Sequence, residues 1–221
     1  TKGKMLREVQ PKNVEDYRER RRRAGRAEGT CNRELTFLRA VYNLAIEDAS
    51  RDPHQLPIMN PVLPGLFYKE NNQRTRYLTD DEEPRLRTEL GEVEWVKVEI
   101  AINSGVRRRN QFDLEWEQDV KLDTRMMRAR GSKSGEDYWV PINDELLAIL
   151  RALPSRLRSR WVFPNVTGTG PIDPKNWKRR VFDPAVERAS LVDFRWHDLR
   201  HTFASRLRMQ GVDLATIRDL L

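Results

Sequence analysis

The 221 residues contain one cysteine, Cys31, and three histidines. One thiol cannot close an internal disulfide or build a thiolate metal cluster, so disulfide scaffolds and zinc-ribbon folds are excluded. No run of about 18 apolar residues occurs, and residues 1–10 lack the apolar centre of a secretory signal. Nothing in the sequence therefore supports membrane spanning or export, and it reads as a cytoplasmic protein. Internal repeats and low-complexity tracts are missing as well. Apolar residues reach only 38% against 34% charged. Leu, Ile, Val and Phe still make up about a quarter of the chain, above the level of disordered segments, so a folded protein with a real core is expected.

Positive charge is abundant and unevenly spread. The 41 Lys/Arg against 34 Asp/Glu give a net charge of +7. Residues 1–30 hold ten bases against five acids and residues 150–210 thirteen against five, whereas residues 80–99 hold eight acids against three bases. Clustered cations neutralise phosphates and release their counterions, so two basic blocks suit a polyanion held along particular faces. Nucleic acid is the natural partner, and a solvated Arg-rich surface is the plain alternative.

Along the chain, Asn13 is predicted to cap a helix over 14–23 and Thr30 a longer one from Cys31 to about Ala49. In the second, Leu35, Leu38, Tyr42 and Ala45 recur at helical spacing, with Phe37, Val41 and Leu44 as a neighbouring stripe, which predicts a wide buried side. Pro53, Pro57, Pro61 and Pro64 mark a loop from Arg51 to about Arg76 and place a domain boundary there. Two short helices bury little, so residues 1–75 read as a partial helical domain missing earlier helices. Residues 76–221 open on Thr79 and Glu82 in a capping-box pattern. Helices over 93–103 and 106–114 follow, then strands at 116–122, 125–130 and 138–142, the last two joined by Gly131–Gly135. Asn143 caps a helix bearing Leu146, Leu147, Leu150 and Leu153, and the remainder is helical after a Pro/Gly-rich loop. The fold class is mainly α with a small antiparallel β-sheet (α+β).

Three segments carry chemistry. In Trp196–Ser205, helical spacing puts His197, Arg200, His201 and Ala204 on the side adjacent to Leu199, Phe203 and Leu207. Arg offers a planar fork for phosphate oxygens and His can pass a proton near neutral pH, so His197 and Arg200 suit phosphoryl chemistry, though an ordinary helix surface would show the same pair. For zinc, His197 and His201 have the spacing. However, Asp198 stands where a zinc hydrolase has Glu and His54 is the sole further His, so no metal site is assigned. In Ser104-Gly105-Val106-Arg107, a small-residue turn opens a helix beside a guanidinium, a combination that binds anions. Lys133 sits at the tip of the expected hairpin.

These segments, in this order, resemble the catalytic domain of the tyrosine recombinases, the phage-integrase family. The first arginine motif is matched by Ser104-Gly105-Val106-Arg107 running into Leu114-Glu115-Trp116, and the hairpin lysine by Ser132-Lys133-Ser134 ahead of Val140-Pro141-Ile142. The His-x-x-Arg motif is matched by His197-Asp198-Leu199-Arg200, and Trp161-Val162-Phe163-Pro164 and the tail from Gly211 to Leu221 fit as well. Residues 1–75 are similar to the family's helical core-binding domain, through Thr30-Cys31-Asn32-Arg33, Leu38-Arg39 and Asn60-Pro61. Two departures stand out. Asn110 occupies a place usually held by Glu, and the sequence reaches Leu221 where the family continues into a third motif and the nucleophilic tyrosine. Tyr17, Tyr42, Tyr68, Tyr77 and Tyr138 all precede His197, so this chain is expected to lack the nucleophile.

The resemblance implies a site-specific recombinase that cleaves and rejoins DNA through a 3′-phosphotyrosyl link for integration or excision of a phage or mobile element. Arg107 and Arg200 would neutralise the phosphorane-like state. Lys133 would protonate the departing 5′ oxygen, and His197 would assist proton transfer. The covalent link conserves the bond energy, so no cofactor, ATP or metal is implied. Thr30, Asn32, Arg33 and Arg39 would bind DNA, with the Thr30 helix near a major groove. The expected partners are double-stranded recombination sites in the nucleoid and, for the full-length enzyme, three further copies in a homotetramer; the present chain is expected to be a monomer. A non-catalytic, decayed integrase and a type IB topoisomerase-like enzyme are the alternatives.

Overall fold

The computed structural model describes residues 5–50, 59–70, 74–131 and 137–221. The chain divides into two compact units, Thr1–Gln73 and Arg74–Leu221. Pro53, His54, Pro57 and the hairpin turn bearing Ser132, Lys133 and Ser134 lie outside the described residues.

In the first unit, helix α1 (Pro11–Arg23) starts earlier than expected, because Pro11 at its first position presets the backbone. Asn13 is therefore inside the first turn, where its Oδ1 accepts from the Gln10 amide at 3.1 Å. Helix α2 (Glu28–Ser50) likewise begins before Thr30. The Ala27 carbonyl accepts from the amides of both Thr30 (2.9 Å) and Cys31 (3.1 Å), which places Thr30 within the helix instead of at its cap. Val14, Leu35 and Val62 form a small core to which Tyr17, Leu38, Leu66 and Phe67 add. The predicted second buried stripe is a correction: Phe37 is 72% and Leu44 60% exposed, because α1 and residues 59–70 cover one side of α2 only.

In the second unit, α3 (Glu82–Leu90) leads into α4 (Glu92–Ser104), whose Trp95, Val98, Ile100, Ala101 and Ile102 are buried. Trp95, Val98, Ala101 and Ile102 join one hydrophobic core, while Ile100 joins a second, so α4 is the partition between them. After α5 (Arg108–Phe112), the predicted strand 116–122 proves to be mostly a helical turn, α6 (Trp116–Asp119). The Asp119 carboxylate accepts from the Glu115 amide at 2.9 Å and closes that turn, leaving only β1 (Val120–Lys121) extended. With β2 (Met126–Ala129) and β3 (Tyr138–Pro141) it makes a three-stranded antiparallel sheet, ordered β1-β2-β3, with Val120 opposite Met127 and Met127 opposite Val140. Pro141 is tolerated because β3 is an edge strand.

Asn143 caps α7 (Asp144–Ala152), its Oδ1 accepting from the Leu146 amide at 2.7 Å. Helix α8 (Pro174–Trp177) passes through a π-helical turn, Lys178–Phe182, into α9 (Asp183–Arg188). Helices α10 (Asp198–Met209) and α11 (Leu214–Asp219) complete the unit, and α10 packs along α4. Phe112, Trp177, Phe182 and Trp196 interlock with ring centroids 5.0–6.1 Å apart, in geometries that favour aromatic pairs beyond their area burial. This cluster fixes α5 against the residue just before His197.

Gly105 ends α4 with φ +62°, a conformation that costs a side-chain-bearing residue. A Cβ there would also lie 2.9 Å from Phe203 Cε1 and 2.8 Å from Leu221 Cδ2. Gly105→Ala is expected to lower unfolding stability by roughly 2–4 kcal/mol, read by urea denaturation. A loss below about 0.5 kcal/mol, the range of neutral surface changes, would show that the turn and Phe203 relax freely.

Candidate active site

The α4–α5 turn and the start of α10 meet at one place. Ser104 Oγ donates to the Ile100 carbonyl at 2.6 Å, and Gln111 Nε2 donates to the Lys97 carbonyl at 2.7 Å, so both sides of the turn are tied to α4. From α10, Arg200 Nη1 donates to the Gly105 carbonyl at 2.6 Å. Arg107, the residue preceding α5, is half-buried, and its Nη1 is fully enclosed with no hydrogen-bond partner among the described residues.

His197 precedes the first residue of α10, and its ring meets that of His201 edge to face, centroids 5.2 Å apart at 86°. The Asp198 carboxylate turns the other way: it is buried and accepts from Arg74 Nε at 2.6 Å and from the Arg195 amide at 2.7 Å. Thr202 Oγ1 donates to the Asp198 carbonyl and accepts from the Leu78 amide, both at 2.8 Å, so the first turn of α10 is held from two sides.

The electrostatics follow from this crowding. Burial lowers the Arg200 pKa; Tyr138 partly counters that, and the Arg107 charge adds to it. His197 is open to solvent on one side, but the packing behind it holds its pKa below the ordinary 6.5, with His201, Arg200 and Arg107 pushing the same way and Asp198 opposing. Arg107, His197 and Arg200 thus act on one another as neighbours. Two guanidiniums and an imidazole, with the nearby buried carboxylate already engaged by Arg74, form a cation-rich recess that a phosphate would neutralise.

The remaining expected residues distribute differently. Lys133 lies outside the described residues; the flanking strands are braced by Arg128 and Arg130 on the buried Asp119, at 2.9 Å and 2.5 Å. Asn110 occupies the third position of α5, and its Nδ2 is buried without a partner among the described residues. In the first unit, Arg33 and Arg39 are exposed on α2 and Thr30 is half-buried. Asn32 is held within the first unit. It is 7% exposed and clips α2 to the following segment, donating to the Tyr68 carbonyl at 2.9 Å and Glu70 at 2.5 Å and accepting from the Tyr68 amide at 2.9 Å. Its amide is engaged within the fold.

Sequence reasoning missed Tyr138, Arg74 and the His201 contact. Tyr138 carries only the signature of a strand residue, and the Arg74–Asp198 pair spans 124 positions with no motif to announce it. Among the described residues, no group of three or more His, Cys, Asp or Glu side chains is gathered to hold a metal ion, and no helix is long and apolar enough to cross a membrane.

An α+β domain thus gathers Arg107, His197 and Arg200 at the end of α4. The phage integrase family profile matches residues 71–221, and the chain belongs to that family. It is 31% identical over 196 residues to the integrase of Salmonella phage P22, covering 84% of this chain and 49% of that protein. It is 25% identical over 209 residues to the tyrosine recombinase XerC of Oceanobacillus iheyensis, covering 87% of this chain and 65% of that one. The chain thus spans about half the length of the phage protein and just under two thirds of XerC. The Tn1549 transposon integrase, solved in complex with circular intermediate DNA, shares the fold with a TM-score of 0.77 over 98% of this chain and 78% of that chain, at 17% identity. The lambda integrase tetramer bound to a Holliday junction gives 0.73 over 98% and 64%, at 19% identity.

His197 supplies a test of the recess. Its folded pKa lies below that of the unfolded chain, so on acidification through about 6.5 the unfolded state takes up a proton that the native state resists. Stability should therefore fall as pH drops from there toward the native pKa and level off below it. By NMR, the His197 imidazole is expected to titrate below 6.5 and to rise when Arg107 or Arg200 is replaced by alanine. Titration at 6.5 or above in the unsubstituted chain would contradict the assembled cations.

Proposed function

We propose that this chain carries the core-binding and phosphate-binding parts of a site-specific tyrosine recombinase, an integrase that cleaves and rejoins DNA through a 3′-phosphotyrosyl link for a phage or other mobile element. The observation that carries the reading is the enclosed Nη1 of Arg107, without a partner among the described residues, beside Arg200 and His197. A buried donor of this strength is costly to leave unsatisfied, and an arriving phosphate oxygen satisfies it.

In this proposal Arg107 and Arg200 bind the two non-bridging oxygens. Their stabilisation grows as the phosphorus becomes pentacoordinate and its oxygens gain charge. His197, held largely neutral near pH 7, accepts or relays a proton at the same centre. Lys133 is assigned, from its motif alone, to protonate the leaving 5′ oxygen. Arg33 and Arg39 contact the DNA backbone from the first unit. For the whole protein the proposal includes a four-copy assembly on DNA, which the lambda integrase tetramer on a Holliday junction supports, and a place on chromosomal DNA in the cytoplasm.

The test is covalent adduct formation on a nicked duplex carrying the element's recombination site, using the protein expressed from its whole gene. Arg107→Ala or Arg200→Ala should cut the adduct by roughly 10²–10³-fold, the effect of removing one transition-state donor. Duplex affinity should stay within about threefold, because many other cations supply the salt-dependent part of binding. Adduct at the unsubstituted level from either variant would overturn the assignment. For the first unit, Arg33→Ala and Arg39→Ala are each expected to weaken duplex binding and to flatten the log affinity–log salt slope by about 0.9. An unchanged slope removes that residue from the interface.

A further inference from the structure

We propose that the Tyr138 hydroxyl is a further phosphate-contacting group of this site, a neutral donor that completes the recess built by Arg107 and Arg200. The inference rests on the phosphate-binding reading above and names a residue that no motif marks. Tyr138 opens β3, opposite Ala129 of β2. Strand alternation puts its side chain on the face of Val140, which is fully buried, whereas Trp139 on the other face is 41% exposed. The Tyr138 ring packs on the edge of the core formed by Leu114, Met127, Val140 and Leu146. That anchorage leaves the phenol few alternative positions.

At the far end of the ring, the hydroxyl oxygen is enclosed and has no formed hydrogen bond among the described residues. That oxygen lies beside the Arg200 guanidinium and supports that group's charge, while its O–H has no acceptor among the described residues. Buried phenol hydroxyls ordinarily find a partner. Here two donors of one small region, Arg107 Nη1 and the Tyr138 O–H, both lack an acceptor among the described residues, and both belong to the surroundings of Arg200. A single tetrahedral anion seated on Arg200 accounts for both. Its oxygens accept from Arg107 and Arg200, and one accepts the Tyr138 O–H while the phenol lone pair faces the guanidinium. No bond is made or broken at Tyr138.

The experiment uses the 221-residue chain, with tyrosine labelled at Cζ with ¹³C, titrated with inorganic phosphate and followed by NMR. One tyrosine signal, identified by its absence from Tyr138→Phe, should move with saturation. Tyr138→Phe should bind phosphate about tenfold more weakly, as expected for losing a hydrogen bond to a charged acceptor, with an unchanged melting temperature. Arg200→Ala is the control for the parent reading. Loss of phosphate binding in Arg200→Ala, with Tyr138→Phe binding as tightly as the unsubstituted chain and the Tyr138 signal static, overturns the Tyr138 proposal alone. Undiminished binding in Arg200→Ala overturns the anion site itself. Weaker binding in Tyr138→Phe accompanied by a lower melting temperature and shifted core signals would make Tyr138 structural and reject its contact with phosphate.

Discussion

The hydrogen bond from Arg200 to the Gly105 carbonyl is the contact on which the rest of the site depends. It joins the turn after α4 to the first turn of α10, and it works because residue 105 has no side chain: Phe203 occupies the space a Cβ would take. Once the turn is fixed, Arg107 follows two residues later with its guanidinium driven inward. His197 is fixed three residues before Arg200 on the helix start that Arg74 holds through Asp198. The result concentrates positive charge in a poorly solvated place, which lowers the pKa of both Arg200 and His197. A fold tolerates that arrangement at some cost in stability. A bound phosphate converts the same repulsion into affinity, and a phosphorane, carrying more charge, gains more.

The acidic block at residues 80–99 has a different meaning in the folded chain than along the sequence. Glu82 pairs with Arg76, Glu83 with Arg206, Glu89 with Arg188, Glu92 with Arg87 and Glu94 with Lys97. Individually, such pairs at partly exposed positions contribute little. Together they consume much of the acidic charge of the block, with cations drawn from inside it and from elsewhere in the second unit, so it does not stand as an uncompensated repulsive face. Arg107 and Arg200 belong to no such pair among the described residues. Their freedom from carboxylates is what makes them available to an external anion.

Local signals made much of this legible before any coordinates. Asn143 caps α7, the three-stranded antiparallel sheet is present, and His197 and Arg200 share one side of α10's start as helical spacing suggests; that Arg107 joins them is what the resemblance implied. The failures were tertiary or competitive. Trp116–Asp119 has the alternation and aromatics of a strand, yet the Asp119 carboxylate closes a helical turn on the Glu115 amide. Thr30 and Asn13 are good caps, but Ala27 and Pro11 start their helices earlier. That Tyr68 and Glu70 engage the Asn32 amide is likewise a tertiary contact with no local signal. Phe37 and Leu44 have core periodicity without a covering element among the described residues. Tyr138 could not be found from sequence, because its place beside Arg200 depends on how β3 lies against α10.

The most direct measurement is a crystal structure of this chain bound to duplex DNA. The account predicts one backbone phosphate within hydrogen-bond distance, about 3 Å, of both Arg107 and Arg200, with His197 at the same phosphate. A complex in which the duplex runs over another face, leaving both guanidiniums more than about 10 Å from any phosphorus, several hydrogen-bond lengths, would contradict it.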